Sequence, residues 1–394
     1  MSRHLLVKLA MIVSFAAEAG LAQSPVSAEK PDLIPPNDPR VAIMGRFELR
    51  NANTAERFRI GYPGVTLRLR FEGTSLAMRA STDTPDNIFA VILDGTQPRP
   101  VRFPTGETEL PLAEALPPGE HTIDIVRQTE TWLGVVTIVG FRLSLGAKLL
   151  TPAPWPRRRM MFIGDSVTCA EAMERTVPGT TDPAAWKRDR ATSWNAYNSY
   201  SMRLARTFDA QVHLVCYGGR GLLRDWENHR NVLNAPQFFN LAVPDEPKPN
   251  DPKLDDPKAA ANAPVWQHAS YVPDVVVVSL GTNDFALEIP AFPLREEWVA
   301  TYVRFVHTIR SAYPGAHVIL TEGPLVNDHD PARPQKTVLN SYLQEIAARL
   351  ADPRVQVFPS RHYPGDPTDA HPTAEQHEAM VRDLEPAIRE AAGW

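Results

Sequence analysis

Four short segments carry residue types that together could perform nucleophilic catalysis. Gly164-Asp165-Ser166-Val167-Thr168 follows an apolar run that ends at Ile163. A serine just past a strand, at the start of a helix, sits at an exposed tip where helix amides favour negative charge near its oxygen. The same position also suits a helix-capping serine. Tyr217-Gly218-Gly219-Arg220-Gly221 follows a run that ends at Cys216. Its glycines free backbone N–H groups to turn toward a ligand, or serve only a tight turn. Gly281-Thr282-Asn283-Asp284 follows Ser279, and the Asn283 amide could donate across the strand ends or cap a turn. Asp369-Ala370-His371-Pro372 comes before the last apolar stretch. A histidine base needs one ring nitrogen free and the other held by an acceptor. Asp369 can supply that acceptor, though either residue alone also suits an N-cap or Asx turn.

These segments need elements that bring them to one place. From about residue 157 onward, short apolar runs alternate with helical periods. Arg159 to Ile163, Val212 to Cys216, Asp274 to Ser279, Val318 to Thr321 and Val355 to Phe358 read as strands. Ser199 to Phe208, Glu296 to Tyr313, Thr337 to Leu350 and Ala374 to Ala392 read as helices. Alternation of this kind predicts a parallel sheet covered by helices on both faces. Ligands of such sheets lie beyond the carboxyl ends of the strands, where the four segments begin.

Residues 41–150 read differently. Val65, Leu67, Leu69 and Phe71 alternate with Thr66, Arg68 and Arg70, the pattern of a half-buried strand. Ile88 to Leu93 ends in the turn signal Asp94-Gly95, and His121 to Val126 and Val135 to Phe141 are further strand runs. No helical period appears here, so an all-β sandwich of jelly-roll type is expected, with about eight strands. The predicted fold is therefore a β-sandwich at 41–150 followed by an α/β domain at 157–394.

Composition narrows the function. The chain has 394 residues, 43% hydrophobic and 22% charged, an ordinary globular balance. A formal net charge of −5 argues against nucleic acid or an anionic membrane as the main partner. The first 22 residues have basic Arg3 and Lys8, the short apolar run Leu9 to Ala17, and small residues at Gly20 and Ala22. That is the pattern of a cleaved signal peptide, too short to span a membrane, and predicts a secreted or periplasmic protein. Residues 23–40 read as a linker. Residues 244–262, rich in Pro and charge, read as a solvated loop or a substrate-facing lid. Cys169 and Cys216 make neither a disulfide framework nor a zinc site; an oxidising compartment permits a bridge between them, and two buried thiols are the alternative.

Gly164-Asp165-Ser166, Gly219, Gly281-x-Asn283-Asp284 and Asp369-x-His371-Pro372 resemble the four blocks of the SGNH, or GDSL-type, hydrolases over residues 157–394. The first block is not the Gly-x-Ser-x-Gly elbow of the α/β-hydrolases, because Thr168 stands at the second glycine. The chain is more narrowly similar to carbohydrate esterase family 2, whose members place a jelly-roll domain before the SGNH domain. Ile163-Gly-Asp-Ser-Val-Thr-Cys169, Gly219-Arg220-Gly221-Leu222 and Leu116-Pro-Pro-Gly-Glu-His121-Thr also look like that family's versions. Three features depart from the pattern. The family often has Ser where Gly218 stands, the 244–262 insertion falls where relatives line the cleft, and the wider superfamily puts its Asp at the position of Thr368.

The resemblance implies a serine esterase acting through an acyl-enzyme, with no metal or cofactor. Ser166 would be the nucleophile, His371 its base and Asp369 the partner of the imidazole. The short Asp-x-His spacing leaves a backbone carbonyl open as the alternative partner. The Ser166 amide, the Gly219 amide and the Asn283 side chain would form the oxyanion hole. The implied substrate is an acetylated polysaccharide such as xylan or glucomannan. Trp226, just past the oxyanion glycines, is read either as a sugar-stacking residue or as a buried one. Arg220, Asp165 and Asp284 are expected to brace the site. Rival readings are a carbohydrate-binding protein whose site has decayed, and a lipase or thioesterase. The intact serine, glycine, asparagine and histidine oppose the first, and the absence of an apolar lid opposes the second.

Overall fold

The computed structural model describes residues 32–52, 55–176, 180–244 and 263–394. The signal-peptide reading, most of the 244–262 insertion and the first part of the 23–40 stretch lie outside the described residues. Within the remainder of that stretch, Ile34 exchanges two backbone hydrogen bonds of 2.8 Å with Phe141, so this part is fixed to the sandwich.

The N-terminal half forms two antiparallel sheets. One runs in the order Ala42–Met44, Thr66–Glu72, Glu120–Arg127, Asn87–Leu93 and Arg99–Phe103, with Lys148–Leu150 also paired to Thr66–Glu72. The other runs Glu48–Ala52, Ala55–Ile60, Val136–Leu143, Leu76–Thr82 and Gly106–Ala113. Among the described residues eleven strands are thus present where about eight were expected; the extra ones are short or mostly exposed, and so carry little apolar alternation. Leu67, Leu69, Phe71, Met78, Phe89, Ile123, Ile125, Ile138 and Phe141 fill the space between the sheets. Asp94 and Gly95 both take positive φ (50° and 72°), and the Thr96 amide donates to the Leu93 carbonyl at 2.9 Å, so the expected turn lies within the longer connection to Arg99–Phe103.

The second half is a five-stranded parallel sheet ordered Ala210–Cys216, Arg158–Gly164, Val275–Leu280, His317–Glu322 and Val355–Val357. Helices Tyr200–Thr207 and Ala374–Ala392 cover one face, and Arg295–Ala312 and Gln335–Leu350 the other. Alternate strand residues explain why both faces are apolar. Met160 and Phe162 join Tyr200, Leu204, Leu384 and Ile388, while Met161 and Ile163 join the cluster of Trp298, Tyr302 and Leu339. Val275 to Val278 are all essentially fully buried, and each such valine stabilises the fold by about 1.5–3 kcal/mol. Among the described residues no helix is long and apolar enough to cross a membrane.

The two halves are tied through buried polar groups. Arg46, wholly buried, donates to the carbonyls of Phe239 at 2.6 Å and Leu241 at 3.0 Å, with its guanidinium over the rings of Tyr62, Phe239 and Trp266. The Gly45 amide donates to Nε2 of His213, and the Val212 amide to the Met44 sulfur. Both contacts involve Ala210–Cys216, the edge strand of the parallel sheet.

Candidate active site

Strand register sets the position of the site. Gly164 lies level with Cys216 on one side and Ser279 on the other. Ser166, Gly219 and Gly281 therefore emerge within two or three residues of one line, at the carboxyl edge of the sheet. His371 enters from the loop before the last helix, whose N-terminus Thr373 and Gln376 close as a capping box.

Ser166 does not begin a helix. Its segment makes a single turn, in which Glu171 N–H donates to the Ser166 carbonyl (3.0 Å) and Ala170 N–H to that of Val167 (3.1 Å). With Ala170 at φ 62°, this is the bonding of a helix C-terminal Schellman turn, so the turn stops as soon as it starts. The Asp165 carboxylate braces it by accepting the Val167 amide at 3.1 Å, and burial pushes that carboxyl up to about 6. A disulfide between Cys169 and Cys216, Cα atoms 5.8 Å apart, ties the turn to the end of the neighbouring strand.

His371 Nε2 lies 2.9 Å from Ser166 Oγ, and Nδ1 lies 2.6 Å from Asp369 Oδ1. Asp369 Oδ1 also accepts the His371 amide at 2.9 Å, which is how a carboxylate only two residues away can face the ring. The carboxylate, rather than a backbone carbonyl, thus occupies the Nδ1 side. Burial alone would lower the His371 pKa, but the Asp369 hydrogen bond and the charges of Glu171, Asp369 and Asp165 outweigh it, and the net shift is upward. Burial would raise the Asp369 pKa, yet hydrogen bonds from the His371 ring and amide and the charges of His371 and Arg175 hold it well below the usual range.

Gly219 has φ +73°, and a Cβ there would lie 2.8 Å from Trp226 Cδ1, so glycine is required twice over. Trp226 is bonded through its amide to the Gly219 carbonyl (3.0 Å) and is 55% exposed, which sets aside the reading of it as a buried residue. Asn283 does reach across the strand ends: its side-chain amide donates to the Arg220 carbonyl at 2.9 Å. Asp284, fully buried, accepts the Leu222 and Leu223 amides at 2.7 and 2.9 Å and so holds the glycine loop. Arg220 braces the same loop through Asp225.

Several neighbours carry no sequence signal. Arg175 spans the site: it donates to the Ala172 carbonyl (2.7 Å), the Asp369 carbonyl (2.9 Å) and the His371 carbonyl, and pairs with Asp366 at 2.6 Å. Glu171 Oε2 stands 3.8 Å from His371 Nε2, and the carboxylate is paired with Arg190. Glu130 and Trp132 reach Gly218 from the sandwich. Asp225, Glu227 and His229 bring three metal-ligand types together near Trp226, but the last two are exposed and His229 Nδ1 is already bonded to Asp225.

Comparison with known proteins identifies the family. The family model described as "Carbohydrate esterase 2 N-terminal" matches residues 43–154, and that of the "GDSL-like Lipase/Acylhydrolase family" matches 162–379. The chain is 35% identical over 359 residues to an acetylxylan esterase / glucomannan deacetylase of Cellvibrio japonicus (strain Ueda107), covering 91% of this chain and 90% of that protein. A solved family two carbohydrate esterase from Cellvibrio japonicus superposes with a TM-score of 0.80 at 34% identity, covering 92% of this chain and 98% of that one. A family two carbohydrate esterase from Clostridium thermocellum in complex with cellohexaose gives 0.73 at 26% identity, over 90% and 99%. A jelly-roll sandwich joined to a GDSL-type sheet, with these matches over nearly the whole chain, places the protein in carbohydrate esterase family 2, among the carboxylic ester hydrolases.

Proposed function

We propose that the protein is an exported serine esterase that removes acetyl groups from xylan- or glucomannan-type carbohydrate through an acyl-enzyme. Residues 41–150 form its sandwich and 157–394 its hydrolase domain. The observation that carries this reading is the unbroken chain Ser166 Oγ, His371, Asp369 at 2.9 and 2.6 Å. The Cellvibrio relative's name supports the acetylated substrate.

In the first half-reaction Ser166 Oγ attacks the ester carbonyl carbon and its proton passes to His371 Nε2. The carbonyl oxygen becomes an oxyanion facing the Ser166 and Gly219 amides and the second N–H of Asn283. Losing one such donor would cost roughly 10²–10³ in rate. The tetrahedral intermediate collapses, the sugar alkoxide leaves and takes the proton from Nε2. Water then attacks the acetyl-serine, gives one proton to Nε2, and that proton returns to Oγ as acetic acid departs. Asp369 keeps the proton-bearing nitrogen at Nδ1 and stabilises the imidazolium formed twice in each cycle. Exposed Trp226 offers an aromatic face beside the cleft, suited to a sugar ring.

The test is hydrolysis of a chain-length series of p-nitrophenyl esters and of acetylated xylan by wild type and Ser166→Ala. Activity confined to acetate and abolished in Ser166→Ala supports the proposal. A preference for C8 or longer chains rejects deacetylation in favour of a lipase or thioesterase. Equal inactivity of both proteins on every substrate assigns a binding role instead.

A further inference from the structure

Glu130 belongs to the sandwich, yet its carboxylate is spent on the loop of the other domain. It is wholly buried and stands at the N-cap position of the short turn Thr131–Leu133 between strands Glu120–Arg127 and Val136–Leu143. One carboxylate oxygen accepts the Gly218 amide at 2.6 Å, and the other accepts the Trp194 indole N–H at 3.0 Å. The backbone that carries Glu130 is itself fixed. Arg127, also wholly buried, donates to the Thr129 carbonyl at 2.8 Å, to that of Glu130 at 3.3 Å and to that of Gly134. Gly218 and Gly219 share a peptide bond, so fixing the first limits where the Gly219 N–H can turn.

The fit is close from the other side as well. A Cβ on Gly218 would stand 2.7 Å from Glu130 Oε1 and 3.0 Å from Oε2. Gly218 is not in the left-handed region, so it is close approach, by Glu130 and by Trp132 Nε1 at 3.1 Å, that favours glycine there. An apolar side chain at 130 would leave two buried N–H groups without an acceptor, which a packed interior does not tolerate cheaply. Burial and the nearby Glu171 charge push the Glu130 carboxyl up to about 8, against the three N–H groups aimed at it from Gly218, Trp194 and Trp132.

We propose that Glu130 is a positioning residue for ester hydrolysis: by anchoring the Gly218 amide it sets the direction of the Gly219 N–H, so that the sandwich domain completes the oxyanion hole. The inference rests on the serine-esterase reading above. A residue that merely stabilised the fold would change the number of active molecules. One that aims an oxyanion donor changes the rate of each molecule, because the donor matters most when charge develops on the carbonyl oxygen.

The experiment measures kcat and KM for p-nitrophenyl acetate in the full-length protein, normalised to Ser166 sites titrated with a phosphonate ester. Glu130→Ala is expected to lower kcat per titrated site by roughly 10- to 100-fold, with KM within about twofold of wild type, as misplacement of a catalytic group does. Glu130→Gln, which keeps one acceptor oxygen, is expected to lose much less. If Glu130→Ala does not fold, Gly218→Ala supplies the same test from the loop side, with the same expected loss in kcat. A kcat per titrated site within twofold of wild type in Glu130→Ala, or in Gly218→Ala where that serves, overturns the proposal; so does an equal loss in Glu130→Gln and Glu130→Ala. Ser166→Ala, run in parallel, separates the two failures: if it stays active the serine reading falls, and if it is inactive while Glu130→Ala is normal only this inference falls.

Discussion

The two halves of the Ser166–His371 pair are positioned by different physics. Ser166 hangs from the second strand of a buried parallel sheet, on a one-turn loop cross-linked by a disulfide and braced by Asp165. His371 sits on a stretch of chain without regular structure, held by the Asp366–Asp369 backbone pair and the many-armed Arg175. Covalent linkage and apolar packing fix the nucleophile; hydrogen bonds and charges fix its base. Geometry on the serine side should therefore resist changes in salt, and that on the histidine side should not.

Breaking the pair outright gives the largest effect. Ser166→Ala and His371→Ala should each lower kcat on p-nitrophenyl acetate by roughly 10⁶-fold, and the double variant should be little worse, because the residues act as a unit. Asp369→Asn comes next, with a loss on the order of 10³–10⁴ expected from the wrong imidazole tautomer. A loss below tenfold would return the Nδ1 partner to a backbone carbonyl.

Reducing the disulfide tests the serine side alone. A loop of 47 residues gives about 4 kcal/mol of stability from chain entropy, so Cys169→Ser/Cys216→Ser should lower the urea midpoint clearly. Arg175→Met tests the other side: the His371 loop should loosen and kcat should fall by roughly 10²-fold, with a smaller change in the urea midpoint. An inverse result, a stable cysteine variant and an unfolded Arg175→Met, would reverse the comparison.

The smallest effect sharpens it. Because the His371 pKa is raised and the base must be neutral, kcat/KM should fall as pH drops through a value above 6.5. Glu171→Gln removes one of the negative charges that favour the imidazolium, so that acid limb should move to lower pH. An unmoved limb in a steady-state pH profile would show that Glu171 does not feel the ring.

The serine side was also the more legible half. Buried runs such as Val275 to Val278 announce a parallel strand, and each is followed directly by chemistry-bearing residues, so register alone gathers Ser166, Gly219 and Asn283. The pattern misled at Ser166, expected to start a helix after its strand: Ala170 adopts a left-handed conformation that no side-chain pattern reveals, and the turn ends there. Arg175, 196 residues from His371, and Glu130, 88 residues from Gly218, were invisible. Their partners are a backbone carbonyl and a backbone amide, and such groups leave no trace in residue type. Gly218 did leave one, as a departure from the family's usual serine, and the Glu130 carboxylate occupying the space a side chain would need accounts for it.

The contacts at Gly45 and Met44 have a consequence for solubility. Ala210–Cys216 ends the parallel sheet and carries the apolar sequence AQVHLVC. A bare edge of this kind is a template for strand addition by another chain. The sandwich lies against it, and the Val212 N–H that would invite such pairing is taken by Met44. The N-terminal domain thus acts as a guard against self-association, and severing it would leave a hydrolase domain prone to aggregate before its activity could be tested.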